Sequence, residues 1–447
     1  MIPLLALRRQ VQGVALELEQ VEMVTRLRRR CHLRQVLRAR HLRVQPWRRP
    51  LMRYRRRLRQ QQQRQRQLRR MRVQLLLPCR QCQRMVMARR QGHRQRRRRS
   101  LVIEGSTSVE VRRSTTTIMR AMAPLLALRH QVQEVALAWP GGPGDVLVEL
   151  RAAALNPADT FFRQLGGYID DGPFVPGHDG MGVVAEVGPE VTEVAVGDRV
   201  CFCNGGIGGA PGTYAEAAVV PEWQLAKVPE GVDDLTAAAL PLVVITGWEA
   251  LYERARLAEG EHVLIHAGAG GTGHMAVQLA ALRGAKVAAT VSGPGKARLV
   301  EDLGAELAIN YRETDFVAAA RDWSGGVNVA LDNVGEEVMT RTYGAMAPYG
   351  RVVSLMGVAP DDADVTAYNM NLDILNVMML TPMWLGLEGA LRRQAGIVRE
   401  ALGLVAAGRL RVQHAETFDL ERAGEAHGLL ESGQAVGKVT LRMIGLS

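Results

Sequence analysis

From Asp145 the chain reads DVLVELRAAAL, alternating apolar and polar positions before turning wholly apolar. That is the pattern of a strand entering a core. Gly172, Pro173, Pro176, Gly177 and Gly180 then punctuate short β segments such as 182–187 and 198–202, so residues 145–230 are expected to be mainly β. Near residue 235 the texture changes to the apolar, helix-rich stretch LTAAALPLVVITGWEALYERA. Beyond it, short apolar strands alternate with amphipathic segments. Strands are predicted at HVLIH (262–266), KVAATV (286–291), LAIN (307–310), VNVALD (327–332) and RVVSLMG (351–357). Helices are predicted from about Gly271 and Gly295, around 315–321 and around 336–345. This alternation predicts an α/β fold, a parallel sheet with helices on both faces. The last 70 or so residues are mixed and end in a strand-like GKVTLRM (437–443), expected to rejoin the β portion.

The first 120 residues carry no such pattern. From Arg26 to Arg99 they are largely Arg, Gln and Leu, without a sustained helical or strand period. Residues 1–120 hold 34 Arg, no Lys, no Asp and five Glu, a formal charge of +29, while the remainder carries 23 basic and 40 acidic residues, a charge of −17. The whole-chain value of +12 therefore describes neither part. Such like-charge density, with little apolar area to offset chain entropy, predicts a disordered extension over 1–118. Three readings of it stand: an over-extended or unselected N-terminus, a transit peptide, or an Arg-rich nucleic-acid-binding segment with few aromatics for stacking. Cys79 and Cys82 form a lone CxxC without a second pair at finger spacing. Pro3–Leu16 matches Pro124–Leu137 at 12 of 14 positions, a trace of duplication that is too short for a solenoid. Met119 and Met122 are both plausible starts of the protein, and a chain beginning at Met119 is expected to keep its fold and activity. No apolar run reaches the roughly 18–20 residues of a membrane span. Five dispersed cysteines suit a reducing compartment, so a cytoplasmic location is expected, with import through the extension left open.

The chemistry-bearing motif follows HVLIH directly: Ala267-Gly268-Ala269-Gly270-Gly271-Thr272-Gly273, with GxGxxG at Gly268, Gly270 and Gly273. The pattern is weak alone, but here a buried strand precedes it and a helix follows. Such a turn lets backbone N–H groups approach a pyrophosphate, with the helix N-terminus adding partial positive charge. The next strand ends Thr290-Val291-Ser292-Gly293 without the acid that usually holds the ribose of NAD, and Lys296 and Arg298 follow. A hydroxyl with cations suits a 2′-phosphate, so NADPH is the expected cofactor.

With this context the chain resembles the zinc-independent quinone oxidoreductases, the zeta-crystallin-like branch of the medium-chain dehydrogenase/reductase superfamily. The resemblance covers about 119–447. It rests on NPADTFFRQ (156–164), PGHDGMGVV (176–184), VGDRV (196–200), LPLVVITGWEAL (240–251), HAGAGGTGHMAVQLA (266–280), GAELAINYRE (304–313), DNVG (332–335) and GKVTL (437–441). It implies a GroES-like β domain plus a Rossmann domain with the active site between them. The implied boundaries are 119–243 for the first part of the catalytic domain, 244–376 for the NADP-binding domain and 377–447 for the return. Ala269 to Gly273 would cradle the pyrophosphate. Ser292, Lys296 and Tyr311 would hold the 2′-phosphate end. Thr246 and the stretch from Leu355 to Gly357 would line the nicotinamide, Asn333 would bind the cofactor, and Asn156 would face the reactive end. A homodimer is implied.

Zinc-dependent relatives bind catalytic zinc through Cys, His and Cys. Here those positions read Asn156, His178 and Leu242, and one imidazole does not make a three-ligand site. No metal is therefore expected, and His178 is read as a polar residue of the cleft. Without a metal, negative charge growing on the substrate oxygen needs a hydrogen-bond donor or proton source. Asn156 through its amide and Tyr168 through its phenol are the catalytic candidates, and water is an alternative. Phe161 and Phe162 stand where many relatives carry Tyr, which leaves Tyr168 as the nearby phenol. The resulting expectation is an NADPH-dependent, metal-independent reductase of quinones. The alternative is a reductase of activated alkenes of enone or acryloyl type. An alternative of another class is a nucleic-acid-binding protein acting through 1–118 with a secondary reductase domain.

Overall fold

The computed structural model describes residues 117–122, 132–137, 139, 141–165, 174–207, 210–357 and 364–443. All fall in one compact unit, Val111–Ser447. The expected disorder of 1–118, the CxxC pair and the first copy of the repeat lie outside the described residues, apart from the first two positions of one strand. That strand, β1 (Thr117–Met122), pairs antiparallel with β2 (Val132–Leu137), Thr117 opposite Leu137.

The segment read as mainly β supplies β3 (Asp145–Ala154), β4 (Asp179–Val187), β5 (Arg199–Cys203), β6 (Ala217–Pro221) and β7 (Ala226–Lys227), with helix α1 (Pro157–Leu165) between β3 and β4. The apolar stretch after it folds as α2 (Asp234–Ala239), α3 (Pro241–Trp248) and a π-helical turn over Glu249–Arg254. The alternating region gives β8 (His262–Ile265), α4 (Gly271–Leu282), β9 (Lys286–Val291), α5 (Pro294–Asp302), β10 (Leu307–Asn310), α6 (Phe316–Ser324), β11 (Val327–Asp332), α7 (Glu336–Thr342), β12 (Met346–Ser354) and β13 (Asp373–Asn376). The chain ends with β14 (His414–Asp419) and β15 (Lys438–Arg442).

The strands β8 to β13 form one parallel sheet in the order β10-β9-β8-β11-β12-β13. This is the doubly wound Rossmann order, whose reversal between the first and fourth strands opens a crevice at their carboxyl ends. The inner strands β8, β9 and β11 are mostly apolar because both faces are covered. In β11, Val329 and Leu331 enter one hydrophobic cluster and Val327 and Ala330 the other. Each such buried side chain stabilises the fold by roughly 1.5–3 kcal/mol for the larger residues. The other sheet, the GroES-like part, runs β14-β15-β3-β4-β5-β7 with β6 paired to β3. The terminal GKVTLRM does return to it: β15 sits between β14 and β3, Thr440 opposite Ala154.

Several element ends differ from expectation, and those of β12 and α7 are two of them. The last predicted strand, 351–357, is β12, which starts earlier at Met346 and stops at Ser354, where Leu355 N–H donates back to the Asp332 carbonyl and Met356 N–H to Ser354 Oγ. The helix expected over 336–345 ends at Thr342 and tightens into a 3₁₀ turn, Tyr343–Ala345. Among the described residues no helix is long and apolar enough to cross a membrane.

Candidate active site

The glycine-rich turn joins β8 to α4, and each glycine has its own reason. A Cβ on Gly268 would stand 2.7 Å from the Ala289 Cβ of β9, and one on Gly273 would stand 2.1 Å from the Ala267 carbonyl oxygen. Only glycine lets the helix approach the strand that closely. Gly270, the N-cap, has only Ala267 O within reach of a Cβ, at 3.2 Å, so its constraint is milder. Ala267 itself takes φ +50°, a left-handed conformation that reverses the chain. The turn leaves the first N–H groups of α4 without intrahelical partners, an arrangement suited to phosphate. Ala269 is buried, and its carbonyl accepts from Gly437 N–H at 2.9 Å, tying the turn to the terminal strand.

A cavity of about 500 Å³ opens at the carboxyl ends of the parallel strands. Its walls include Thr290, Tyr311, Phe316, Val334 and Arg341. Tyr311 N–H donates to the Val291 carbonyl at 3.1 Å, which brings Tyr311 beside Ser292 although 19 residues separate them. Ser292 and Lys296 are half-buried at the start of α5. Arg341 pairs with Asp315 at 2.5 Å and lies over the Phe316 ring, 4.8 Å from its centroid. Asn333 amide nitrogen donates to the His266 carbonyl at 2.8 Å, while its Oδ1 is buried with no partner among the described residues. An orphaned acceptor beside a glycine turn and an open strand end fits a dinucleotide. Gly357 takes φ +94° beyond β12.

At the other end, two of the residues at the three ligand positions of zinc-dependent relatives, Asn156 and Leu242, bond to one buried carboxylate, Asp179, and the third, His178, contacts Asp159. Asn156 Nδ2 donates to Asp179 Oδ2 at 2.9 Å, and Leu242 N–H donates to Asp179 Oδ1 at 2.8 Å. Lys438, 2% exposed, donates from Nζ to the Leu155 carbonyl at 2.9 Å, to Asn156 Oδ1 at 2.5 Å and to Asp179 Oδ2 at 3.2 Å. Burial pushes the Asp179 carboxyl up, and Lys438 opposes that rise. His178 is fully buried and its Nδ1 contacts Asp159 Oδ1. Its Nε2 has no partner among the described residues. Burial pushes the Asp159 carboxyl up, but His178 and the Asn156 N–H outweigh it and hold that carboxyl below its ordinary range. Tyr214 hydroxyl also donates to Asp159, at 3.3 Å. Thr246, on α3, is buried and donates to the Leu242 carbonyl at 2.7 Å.

The two ends meet through packing. A Cβ on Gly271 would lie 3.5 Å from Lys438 Cδ and 3.7 Å from Val243 Cγ1. Thus α3, the glycine turn and the terminal strand converge next to Asn156. Asn156 itself is 1% exposed, with one amide proton engaged by Asp179. Tyr168 lies outside the described residues. Lys438, Asp179 and Asp159 were not among the residues singled out by sequence. Their only signal was local: a lysine opening the strand KVTLR, an aspartate following His178 in PGHDG, and an aspartate in NPADT.

A family described as "Alcohol dehydrogenase GroES-like domain" matches residues 142–230, and one described as "Zinc-binding dehydrogenase" matches 303–441. A 2-haloacrylate reductase of Burkholderia sp is 32% identical over 318 residues, covering 69% of this chain and 93% of that protein. A quinone oxidoreductase of Pseudomonas aeruginosa is 33% identical over 307 residues, covering 67% and 91%. The crystal structure of an alcohol dehydrogenase superfamily protein from Novosphingobium aromaticivorans superposes with a TM-score of 0.67 at 32% identity, covering 73% of this chain and all of that one.

Proposed function

We propose, for a chain that belongs to the medium-chain dehydrogenase/reductase superfamily and to its zinc-independent, quinone oxidoreductase-like branch, that it is an NADPH-dependent and metal-independent reductase of electron-poor acceptors. An oxidoreductase of this superfamily uses a nicotinamide cofactor. Quinones are the first substrate class proposed. Activated alkenes of acryloyl or enone type are the second, favoured by the likeness to a 2-haloacrylate reductase.

The observation that carries the metal-independent reading is the Lys438 ammonium, 2.5 Å from Asn156 Oδ1. Its positive charge opposes a cation beside that position, and Leu242 supplies no ligand atom at the third position. When the cofactor is bound, its reduced nicotinamide supplies a hydride. The chain's own residues then have three tasks. The α4 N-terminus and the turn hold the pyrophosphate. Ser292, Lys296 and Tyr311 hold the 2′-phosphate, and Asn333 Oδ1 accepts a hydrogen bond from the cofactor. At the reactive end the second amide proton of Asn156 donates to the acceptor oxygen as negative charge develops there, and Tyr168 or water delivers the proton. A homodimer is proposed with this reading.

The test is NADPH oxidation by the purified protein against quinones, enones and simple alcohol–ketone pairs, with and without a strong chelator. Turnover of quinones or enones, unchanged by the chelator, is expected. Stoichiometric zinc whose removal abolishes turnover would overturn the proposal.

A further inference from the structure

The terminal strand carries one buried lysine, Lys438. A lysine is costly to bury, and it is retained in a core only where oxygen atoms replace its water. Lys438 Nζ finds three: the Leu155 carbonyl, Asn156 Oδ1 and Asp179 Oδ2. Two of these belong to Asn156 and to its other partner. The result is a closed triangle in which Lys438 donates to Asn156 and to Asp179, and Asn156 donates to Asp179.

The triangle settles which way the Asn156 amide faces. An ammonium has donors only, so the Asn156 atom at 2.5 Å from Nζ must be the carbonyl oxygen. With the oxygen fixed by Nζ, the atom at 2.9 Å from Asp179 Oδ2 is the NH₂ nitrogen, which donates to it. A flipped amide would set its N–H against Nζ and its oxygen against the carboxylate. The amide is thereby locked with one N–H on Asp179 and the second remaining. Charge donated to Oδ1 also polarises the amide, and chains of hydrogen bonds strengthen one another in a low-dielectric interior.

The same lysine is tied to the cofactor turn. Its stem packs where a Cβ on Gly271 would touch it, and the residue before it, Gly437, donates its N–H to the Ala269 carbonyl. Gly437 takes φ +84°, and a Cβ there would stand 2.1 Å from the Gln413 carbonyl oxygen, so the backbone that carries Lys438 into the site is itself constrained.

We propose that Lys438 is a positioning residue for the reaction: it orients and polarises the Asn156 amide and fixes it relative to the glycine turn. The inference rests on the reading of Asn156 as the donor to the acceptor oxygen. Lys438 touches neither hydride nor acceptor and acts through Asn156.

The experiment uses the full chain and four variants: K438M, D179N/K438M, N156A and N156A/D179N/K438M. K438M keeps the stem but strands a buried carboxylate, so it can fail to fold; D179N/K438M removes both charges and leaves Leu242 N–H an acceptor. Thermal melting checks folding, NADPH fluorescence titration measures cofactor affinity, and kcat and KM are measured with the best acceptor from the screen. N156A and D179N/K438M are each expected to lower kcat about 10- to 100-fold, with NADPH affinity within about threefold of the parent. The triple variant is expected to be no worse than N156A alone, because the lysine works through the amide. Unchanged kcat in folded D179N/K438M, or losses that multiply in the triple variant, would overturn the role of Lys438 while leaving Asn156 as the donor. Unchanged kcat in N156A would overturn the donor reading, and the role of Lys438 with it.

Discussion

Lys296 is the residue on which cofactor choice is most directly tested. It stands half-buried on the first turn of α5, four positions after Ser292 and close to the strand end that Tyr311 joins. A hydrogen bond to a charged group contributes roughly 1.5–3 kcal/mol, and each 1.4 kcal/mol is about tenfold in affinity. Lys296→Ala is expected to weaken NADPH about 10- to 100-fold and to leave NADH nearly unchanged. Titration of both cofactors against both proteins measures it, and equal weakening would assign Lys296 to the fold or the pyrophosphate. Two histidines near the turn set a second expectation. Burial pulls the imidazoles of His266 and His274 down to about 4. Gln413 N–H donates to His274 Nε2 at 3.2 Å, so Nε2 is the lone-pair nitrogen and Nδ1 donates to the Gly270 carbonyl. Both rings are neutral in the native state, whereas in the unfolded chain they take up protons below about pH 6.5. Through these two rings, stability should fall as pH drops from about 6.5 toward 4, by about 3 kcal/mol for each ring. Tm measured from pH 7.5 to 4.5 checks this, and a flat profile would contradict it.

The turn between β8 and α4 shows how an element imposes different demands on adjacent glycines. At Gly273 a methyl group collides with backbone, the Ala267 carbonyl, and no side chain can move aside. At Gly271 the nearest atom is Lys438 Cδ at 3.5 Å, ordinary van der Waals contact. Gly273→Ala should lower stability by about 1–3 kcal/mol or more through overpacking, and weaken NADPH by displacing α4. Gly271→Ala should leave Tm within a few degrees. Paired denaturation and cofactor titrations separate the two, and equal Tm values would show that α4 shifts freely. At this scale the strands of the parallel sheet were legible in advance, and three of them match to the residue: 286–291, 307–310 and 327–332. They are short apolar runs bounded by helices, and burial on both faces leaves no alternative pattern. The ends of β12 were not legible, since its start depends on pairing with β11 across a bulge.

The six-stranded sheet ends at β13, which among the described residues pairs on one side only. Around it Ile374, Met378, Trp384, Leu385 and Leu387 are exposed. An open edge beside an apolar surface invites pairing unless it is covered. A second copy of this chain would cover it through a self-complementary contact, in keeping with the proposed homodimer. Light scattering should give twice the chain mass at micromolar concentration, and Ile374→Lys with Trp384→Glu should shift it to the monomer. A parent protein that is monomeric throughout would remove the proposal.

The order of apolar and polar residues along this chain determined five strands of its parallel sheet and their alternation with helices, and the glycine spacing marked the turn after β8, because those follow from local periodicity and from the lack of room at a few positions; β1, β2, β13 and β14 were not read from it. Likeness to a family, not periodicity, is what led to the proposal that Ser292, Lys296 and Tyr311 hold a phosphate. Tertiary structure alone decided what surrounds Asn156. Lys438 is 282 positions away in sequence from Asn156, and Asp179 is 23 away. Nothing periodic marks either one. A buried charge is specified by the partners that replace its water, and those partners are assembled only when the last strand folds back beside β3.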